Sequence, residues 1–434
     1  MKIIINTFYL LALAVISPKI VYRMLRQDRY RAGWKERLGN ITRLTDKKCI
    51  WIHAVSVGEV NATRLLVEKL AQLPGDYEIV ISATTDTGYA RANAVYDGKL
   101  KVFYFPFDIS WIMTKAFDNI APDICLSMEL EVWPNLTMIA NKRNIPVVVI
   151  NGRLSDRSFP RYKLIRPVTR WMFSKVSLFL AQTEEYAERF RYLGCPAKRV
   201  IVTSSLKYDT AEITDTIEGA DALAQKIALQ DERLWVAGGT GPGEEKIVLE
   251  VFTKLKQLEE FADLRMTVVP RKPERFDEVA NMIEASGFTS VRYSKLKETD
   301  TKAQGKPDII LGDTMGDLKK FYSLASIVFV GRSLVPMGGS DMMESAALGK
   351  CTIFGEHTFN FKQTVDALLG GDGAIQIKDS DELYETIKKC LTDINYSQSI
   401  SKNGREVIAR NQGATQKTVT EIAKLLLGAN LPRK

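Results

Sequence analysis

Residues 49–59 read CIWIHAVSVGE, an apolar run that ends in a serine, a glycine and a glutamate. Such a run predicts a buried strand of a parallel sheet, and residues 61–72 continue with the apolar spacing of a helix. We therefore expect Glu59 on a glycine-bearing turn at the carboxyl edge of the sheet, where open α/β sheets bind ligands. The alternative is that Glu59 only complements the dipole in the first turn of a helix.

Short β-branched runs alternate with helical patterns along the rest of the chain. The first series of predicted strands covers residues 77–82, 101–105, 123–127, 146–151, 178–181 and 199–203. The second series covers residues 234–237, 266–269, 308–311, 327–330 and 352–354. This alternation predicts two parallel sheets built from βαβ units. Residues 208–230 carry no strand signal, and we expect the domain boundary there.

The composition restricts the class of protein. The chain has 434 residues, too many for one typical core, and a formal net charge of +8. No zinc-finger spacing and no aromatic RNA-binding signature accompany the positive surplus, so nucleic acid is not the expected partner. Five scattered cysteines and two histidines predict buried, reduced thiols and no structural zinc site.

The N-terminus predicts attachment to a membrane. Residues 3–16 are almost wholly apolar. This run is shorter than the roughly 20 residues that a spanning helix needs. Cations follow this run at Lys19, Arg23, Arg26, Arg29, Arg31, Lys35 and Arg37. They favour a cytoplasmic location for the downstream chain and contact with anionic lipid. A buried core helix followed by a solvated, charged helix is the alternative.

Three segments of the second half could bind a nucleotide. Residues 235–245 read WVAGGTGPGEE, and backbone N–H groups in such a turn can hold a phosphate, although an ordinary βα connection has the same pattern. Arg271 follows a predicted strand and can bind a phosphate through its guanidinium group. Asp341 and Glu344 can accept hydrogen bonds from a ribose diol, or they can form a helix capping box.

Two segments of the first half carry further candidates. Glu129 and Glu131 share one face if the strand at residues 123–127 continues, and they then form a polar pocket near Glu59. Lys207 follows the predicted strand at residues 199–203. A lysine in that position is ordinarily only solvated.

These segments, in this order, resemble the bacterial Kdo transferases, which move 3-deoxy-D-manno-oct-2-ulosonic acid (Kdo) from CMP-Kdo to a lipid A precursor. In the first half the similar segments are residues 56–59, 128–131, 133–135 and 205–207. In the second half they are residues 269–271, 273–276, 312–316 and 357–361. The resemblance extends over nearly the whole chain.

The resemblance implies the GT-B fold, in which two Rossmann-like, doubly wound α/β domains face each other across a cleft. Residues 1–35 would form a membrane-anchoring helix and a basic segment, and residues 36–212 the acceptor domain. Residues 213–434 would form the nucleotide-sugar donor domain, with a final helix that can pack back on the acceptor domain.

The resemblance also implies an inverting glycosyltransferase of lipopolysaccharide synthesis at the cytoplasmic face of the inner membrane. Glu59 would be the general base, and Glu129 and Lys207 would stabilise the transition state. The donor nucleotide would be bound by Pro270, Arg271, Met315, Gly316, Asp317, Asp341, Met342, Met343 and Glu344. The implied partners are CMP-Kdo, an acidic glycolipid and an anionic membrane surface, without a cofactor or a metal.

Three segments depart from the family pattern. Gly241 and Lys272 each stand where the family usually has a histidine, and Ser340-Asp341 stands where it usually has His-Asn. These changes bear on the identity of the donor. Two alternatives therefore stay open: a transferase or epimerase of the same fold that uses another nucleotide sugar, such as a UDP-sugar, and a non-catalytic, membrane-tethered nucleotide-binding scaffold.

Overall fold

A computed structural model describes residues 5–7, 9, 15, 17–18, 22, 26, 32–96 and 98–428. The chain divides into two compact units. Unit 1 comprises Met1–Thr210 and Gln412–Lys434, and unit 2 comprises Ala211–Asn411. The polypeptide thus passes from unit 1 into unit 2 and returns to unit 1 for its last segment.

Unit 1 is built on a parallel sheet of seven strands. They are β1 (Lys48–His53), β2 (Tyr77–Ala83), β3 (Lys101–Tyr104), β4 (Ile124–Met128), β5 (Val147–Gly152), β6 (Leu178–Ala181) and β7 (Val200–Val202). Their order in the sheet is β3-β2-β1-β4-β5-β6-β7. The central strands are buried along nearly their whole length, because helices cover both faces of a parallel sheet.

The helices of unit 1 enclose one apolar core on each face of this sheet. They are α1 (Trp34–Arg37), α2 (Val57–Leu70), α3 (Asp86–Tyr96), α4 (Ser110–Ile120), α5 (Pro134–Lys142), α6 (Phe159–Leu164), α7 (Arg166–Phe173) and α8 (Glu184–Tyr192). Trp51 and Phe179 point into one core, and Ile52 and Leu66 into the other. The opposite directions of Trp51 and Ile52 follow from the two-residue period of a strand.

Unit 2 repeats the plan with a second parallel sheet of seven strands. They are β8 (Leu234–Thr240), β9 (Arg265–Pro270), β10 (Ser290–Arg292), β11 (Ile309–Leu311), β12 (Ile327–Val330), β13 (Cys351–Gly355) and β14 (Ile375–Ile377). Their order is β10-β11-β9-β8-β12-β13-β14. Both sheets confirm the predicted pair of parallel-sheet α/β domains.

The helices of unit 2 pack on both faces of its sheet. They are α9 (Ala220–Lys226), α10 (Glu244–Lys256), α11 (Phe276–Ala285), α12 (Tyr293–Glu298), α13 (Leu318–Leu324), α14 (Met343–Ala347), α15 (Lys362–Gly370), α16 (Ser380–Thr392) and α17 (Ile394–Asn411). Trp235, Phe252 and Phe329 lie in a shared core and are fully buried. Asp379 begins α16 by accepting hydrogen bonds from the backbone N–H groups of Asp381 and Glu382.

A last helix, α18 (Ala414–Leu426), belongs to unit 1 and packs against α2. Its first turn is fixed by Asp209, whose carboxylate oxygens accept hydrogen bonds from Gly413 N (2.6 Å) and Thr415 N (2.5 Å). A carboxylate at a helix N-terminus satisfies backbone donors that have no partner inside the helix. The segment around Asp209 is thereby held to α18.

The strands predicted in the two series are all present, with ends that differ by at most three residues. The apolar run at residues 49–57 overlaps β1, which covers Lys48–His53. Two strands were not predicted, β10 and β14, because each has three residues, lies at a sheet edge and is only partly buried. Edge strands of this length carry no continuous apolar run.

Each sheet has a point at which the direction of strand addition reverses. In unit 1 this point lies between β1 and β4, and in unit 2 between β8 and β12. The loops that follow these neighbouring strands diverge to opposite faces of the sheet, and the carboxyl edge between them is where α/β proteins bind ligands. The sites described below are built at these two edges.

The predicted anchor at residues 3–16 lies largely outside the described residues. Two described residues of this segment make polar contacts with unit 1. Asn6 Nδ2 donates a hydrogen bond to Ser110 Oγ (2.7 Å), and Tyr9 donates one to Asp108 Oδ2 (3.0 Å). Within the described part of the chain, no helix combines the length and the apolar character that crossing a membrane requires.

Candidate functional site

The Glu59 carboxylate is fixed at the first turn of α2. Its Oε2 accepts a hydrogen bond from Val55 N (2.9 Å), and its Oε1 accepts one from Ser56 Oγ (2.9 Å). Ser56 is the N-cap of α2, and its Oγ accepts from Glu59 N in return. The prediction of a separate glycine-bearing turn is wrong, because Gly58 and Glu59 are already helical. The reciprocal bonds hold the carboxylate at the carboxyl edge of β1.

Burial raises the pKa of Glu59 above its usual value. The hydrogen bond from Val55 N–H opposes this effect, and the negative charge of Glu129 adds to it. A carboxylate with a raised pKa holds a proton more strongly than a solvated one. It therefore suits general-base catalysis near neutral pH.

Glu129 follows β4 directly, and β4 pairs with β1. Its backbone is left-handed, with a φ of 52°, and its N–H group donates to Ile150 O (2.9 Å). The strand ends at Met128, so the expectation that Glu129 and Glu131 share one strand face is wrong. The left-handed turn nevertheless leaves both carboxylates near Glu59. The charge of Glu129 contributes to the raised pKa of Glu59, and the charge of Glu59 contributes to the raised pKa of Glu131.

Glu131 belongs to the same carboxylate cluster. Its Oε2 accepts a hydrogen bond from Trp133 Nε1 (3.0 Å) and lies 4.0 Å from His53 Nε2. Burial raises the pKa of Glu131 to about 7, and the negative charges of Glu59 and Glu129 contribute. Reasoning from the sequence predicted that Glu131 lies in a polar pocket but assigned no role to it. The same reasoning did not single out His53, the last residue of β1.

Lys207 is held over the carboxyl edge of the unit 1 sheet. The segment that precedes it returns from β7 to β5, where Leu206 N donates a hydrogen bond to Asn151 Oδ1 (3.1 Å). Two residues farther on, Asp209 fixes the chain to α18. Among the described residues, the Lys207 ammonium forms no ion pair with Glu59 or Glu129. The backbone is thus fixed before and after Lys207, while its ammonium group is not held by either carboxylate.

The glycine-rich turn after β8 is occupied by the carboxylate of Glu244. Its Oε2 accepts from Gly241 N (3.0 Å) and from Arg332 N, and its Oε1 accepts from Ser333 N (2.8 Å) and Leu334 N (2.9 Å). Glu244 is fully buried. The expectation that this turn holds a phosphate is wrong for Gly241 N–H, because an internal carboxylate already binds this donor.

Pro270 and Arg271 lie at the carboxyl end of β9, beside the switch point of unit 2. Pro270 is the last residue of β9, and Arg271 N donates to Thr240 O (3.0 Å), which ties this end to β8. The Arg271 side chain is exposed. Burial raises the pKa of Glu344, and the positive charge of Arg271 opposes this shift, so the two residues lie near each other.

Residues 341–344 lie at the start of α14, after the loop that follows β12. Asp341 Oδ1 accepts from Met343 N (2.9 Å), so Asp341 has part of the capping role that its spacing predicts. Met342 and Met343 are buried, so their side chains belong to the core. Burial raises the pKa of Glu344 to about 7, as does Asp341, while Lys319 at 3.9 Å opposes this shift.

Residues 315–317 form the loop between β11 and α13. Met315 is exposed, and Gly316 has a φ of 92° with open space around its α-carbon. The buried Asp317 carboxylate accepts from Lys297 Nζ (2.9 Å), Lys320 Nζ (2.8 Å) and Thr314 Oγ1 (2.8 Å). Asp317 therefore fixes the loop, while Met315 and the Gly316 backbone remain accessible to a ligand.

The three departures from the family pattern differ in their surroundings. A β-carbon at Gly241 would lie 2.6 Å from Met337 Sδ. Lys272 is exposed, 3.5 Å from Glu274. Ser340 is buried, and its Oγ donates to Gly239 O (2.8 Å). Of the described residues, no group of three or more histidine, cysteine or acidic side chains could hold a metal ion.

Comparison with known proteins shows which family the chain is similar to. Residues 32–210 match the family of 3-deoxy-D-manno-octulosonic-acid transferases (kdotransferases). Over 417 residues the chain is 33% identical to the 3-deoxy-D-manno-octulosonic acid transferase of Haemophilus influenzae, covering 94% of this chain and 96% of that protein. The transferase of Bordetella pertussis is 29% identical over 430 residues, covering 95% and 97%.

Among solved structures, the chain is similar to the UDP-GlcNAc 2-epimerase of Neisseria meningitidis bound to UDP-GlcNAc. The TM-score is 0.58 at 14% identity, covering 87% of this chain and all of that one. An identity this low shows the fold alone. It agrees with the prediction of two GT-B-type domains with parallel sheets.

Proposed function

This chain belongs to the 3-deoxy-D-manno-octulosonic acid (Kdo) transferase family and is a glycosyltransferase; on that premise we propose that it moves Kdo from CMP-Kdo to a lipid A precursor. One observation carries the proposed mechanism. The partly buried Glu59 carboxylate is fixed by two hydrogen bonds beside the switch point between β1 and β4. This position supports a role as the general base for the acceptor hydroxyl.

In the proposed reaction, the Glu59 carboxylate takes the proton of the acceptor hydroxyl. The acceptor oxygen then forms a bond to the anomeric carbon of Kdo, on the face opposite the nucleotide. The bond from that carbon to the phosphate oxygen breaks, and its electron pair leaves with CMP. The anomeric configuration is inverted, and Glu59 later returns the proton to solvent.

Glu129 and Lys207 carry opposite charges that suit the two charges of the reacting sugar. Positive charge develops at the anomeric carbon of Kdo, and the neighbouring carboxylate group is negative. We assign Glu129, fixed next to Glu59, to the developing positive charge, and Lys207 to the sugar carboxylate. Fixed charges of this kind stabilise a transition state because they need no reorganisation during the reaction.

We assign binding of the CMP group to the carboxyl edge of the unit 2 sheet. The exposed Arg271 supplies a cation for the single phosphate of CMP. Gly316 allows close approach to its backbone, since it is left-handed and has open space around it. Glu344 and Asp341 supply oxygen atoms for a ribose diol. A single phosphate paired with arginine does not demand a divalent metal, and we propose a metal-independent transfer.

Replacing Arg271 with alanine is expected to weaken CMP binding by about 10- to 100-fold, because a charge-assisted hydrogen bond contributes roughly 1.5–3 kcal/mol. Isothermal titration of the full-length protein with CMP measures the change. The matched control is Lys254→Ala, which removes an exposed cation of α10 that pairs with Asp381. Equal affinities of wild type and Arg271→Ala would contradict this role.

We also propose that helices α6 and α7 of unit 1 lie against the anionic membrane that carries the acceptor. Between them they expose apolar side chains at Leu164 (85%), Ile165 (50%) and Val168 (53%). The same segment, residues 159–173, has four exposed cations and no acidic residue: Arg161, Lys163, Arg166 and Arg170. Apolar side chains ringed by cations match the interface of an anionic bilayer.

The double substitution Leu164→Ser/Ile165→Ser is expected to reduce binding to vesicles that contain anionic phospholipid by about tenfold, because it removes apolar area that the membrane would bury. Vesicle co-sedimentation of the full-length protein measures the effect. Ile394→Ser is the matched control, since Ile394 is an exposed isoleucine of unit 2. Unchanged sedimentation of the double variant would refute the proposed membrane surface.

A further inference from the structure

His53, the last residue of β1, has a buried nitrogen to which no described residue forms a hydrogen bond. Only 2% of the residue is exposed, and its ring stacks on Phe105 with centroids 3.8 Å apart. Its Nδ1 contacts Ser82 O at 3.2 Å and Ser82 Oγ at 3.0 Å. Within the described part of the chain, its Nε2 has no hydrogen-bond partner, and it faces Glu131 Oε2 at 4.0 Å. Burying a polar atom without a hydrogen-bond partner costs free energy. A hydrogen-bond donor beside this nitrogen would therefore be stabilising.

The contacts of Nδ1 decide which nitrogen of His53 carries the hydrogen. A carbonyl oxygen only accepts hydrogen bonds, so the contact with Ser82 O places the hydrogen on Nδ1. Burial lowers the pKa of His53 to about 3, and the ring is therefore neutral. Nε2 then presents a lone pair toward Glu131. An ionised Glu131 would set negative charge against this lone pair, whereas a protonated Glu131 could donate a hydrogen bond to it.

The other surroundings of Glu131 also disfavour its negative charge. Glu59 on α2 and Glu129 after β4 are both acidic and close to it. Burial raises the pKa of Tyr162 on α6, and the negative charge of Glu131 adds to this effect, so the phenol lies near Glu131. Trp133 donates to its Oε2 and favours the charged form. These groups supply no cation to balance a third carboxylate.

From this geometry, and given the proposed role of Glu59, we propose that Glu131 is a positioning residue that works in its protonated form, turns its hydroxyl toward His53 Nε2, and keeps Glu59 ionised as the base. The cluster then carries one proton at a defined place. The hydrogen lies on the Glu131 oxygen that faces His53, the last residue of β1. The acceptor hydroxyl therefore meets an ionised Glu59 rather than a carboxylic acid.

The proposal gives each of three variants a different pH profile of kcat/KM. Glu131→Gln is neutral, like protonated Glu131, so the acidic limb set by Glu59 stays at its wild-type pH. His53→Phe keeps the stacking on Phe105 but removes the acceptor, so Glu131 ionises more readily. The limb then moves up by about one pH unit, because a neighbouring negative charge raises a carboxyl pKa. At pH values below the limb, this shift lowers kcat/KM by roughly tenfold.

The double variant His53→Phe/Glu131→Gln separates this electrostatic effect from damage to the fold. It is expected to return the acidic limb to the wild-type pH, since no charge is left at position 131. A merely structural role of His53 would leave the double variant as impaired as His53→Phe. A downward shift of the limb in Glu131→Gln alone would show that Glu131 is ionised in the wild type and would overturn the proposal.

Infrared spectroscopy tests the same proposal without turnover. The wild type at pH 6 is expected to show the carbonyl stretch of a buried protonated carboxyl group that Glu131→Gln removes and the exposed control Glu68→Gln keeps. A spectrum that Glu131→Gln leaves unchanged contradicts the proposal. This readout does not depend on the reaction. Failure of the general-base assignment, seen as full turnover in Glu59→Gln, is thus distinguishable from failure of the Glu131 assignment.

Discussion

Replacing Glu59 with glutamine is expected to lower kcat for Kdo transfer by about 10²- to 10⁴-fold, the range that a general base contributes. Glutamine has nearly the same shape but cannot take a proton from the acceptor hydroxyl. Its carbonyl oxygen can keep one of the two hydrogen bonds that Val55 N and Ser56 Oγ now donate. The free energy of unfolding should therefore fall by only about 1 kcal/mol.

A steady-state assay with saturating CMP-Kdo measures this loss, and circular dichroism verifies the fold. Glu68→Gln is the matched control, because Glu68 lies on the same helix and pairs only with exposed Arg64 among the described residues. Its kcat should equal that of the wild type. Wild-type turnover in a folded Glu59→Gln protein would exclude Glu59 as the base.

Replacing Glu244 with alanine is expected to have the largest effect on stability. Its carboxylate is the hydrogen-bond acceptor for four backbone N–H groups in two loops, those after β8 and β12. Alanine leaves these donors without that acceptor, and each unsatisfied buried group costs roughly 1–3 kcal/mol. We expect a loss of about 4 kcal/mol or more in the unfolding of unit 2.

Urea denaturation of the full-length protein, followed by tryptophan fluorescence, measures this change. Trp235 is fully buried on β8 and reports on unit 2. Glu250→Ala is the control, since Glu250 is an exposed glutamate of the same helix, 3.9 Å from Lys246. Its effect should stay within about 0.5 kcal/mol. Equal denaturation midpoints for Glu244→Ala and wild type would show that the loops do not depend on this carboxylate.

The sequence predicts those parts of the fold that local patterns determine. Strands such as β4 and β12 are continuous apolar runs, because both faces of a parallel sheet are buried, and they were located to within a residue. The three-residue edge strands β10 and β14 have no such run. The order of the strands, which creates the two switch points, depends on pairing between distant segments and could not be read from local patterns.

The same division applies to the candidate site. Glu59 was predicted as a candidate residue from its place after an apolar run, and that reasoning needs only local sequence. The binding of Gly241 N–H by Glu244 could not be foreseen, because three further donors come from residues 332–334, far along the chain. The orientation of His53 toward Glu131 likewise depends on the pairing of β1 with β4.

The central claim is that this protein transfers Kdo from CMP-Kdo to a lipid A precursor with Glu59 as the base. Mass spectrometry of the precursor after incubation with CMP-Kdo and the full-length protein tests it most directly. We expect the wild type to add the mass of one or more Kdo residues and Glu59→Gln to add almost none over the same time. A precursor of unchanged mass with the wild type, or equal addition by both proteins, would contradict the claim.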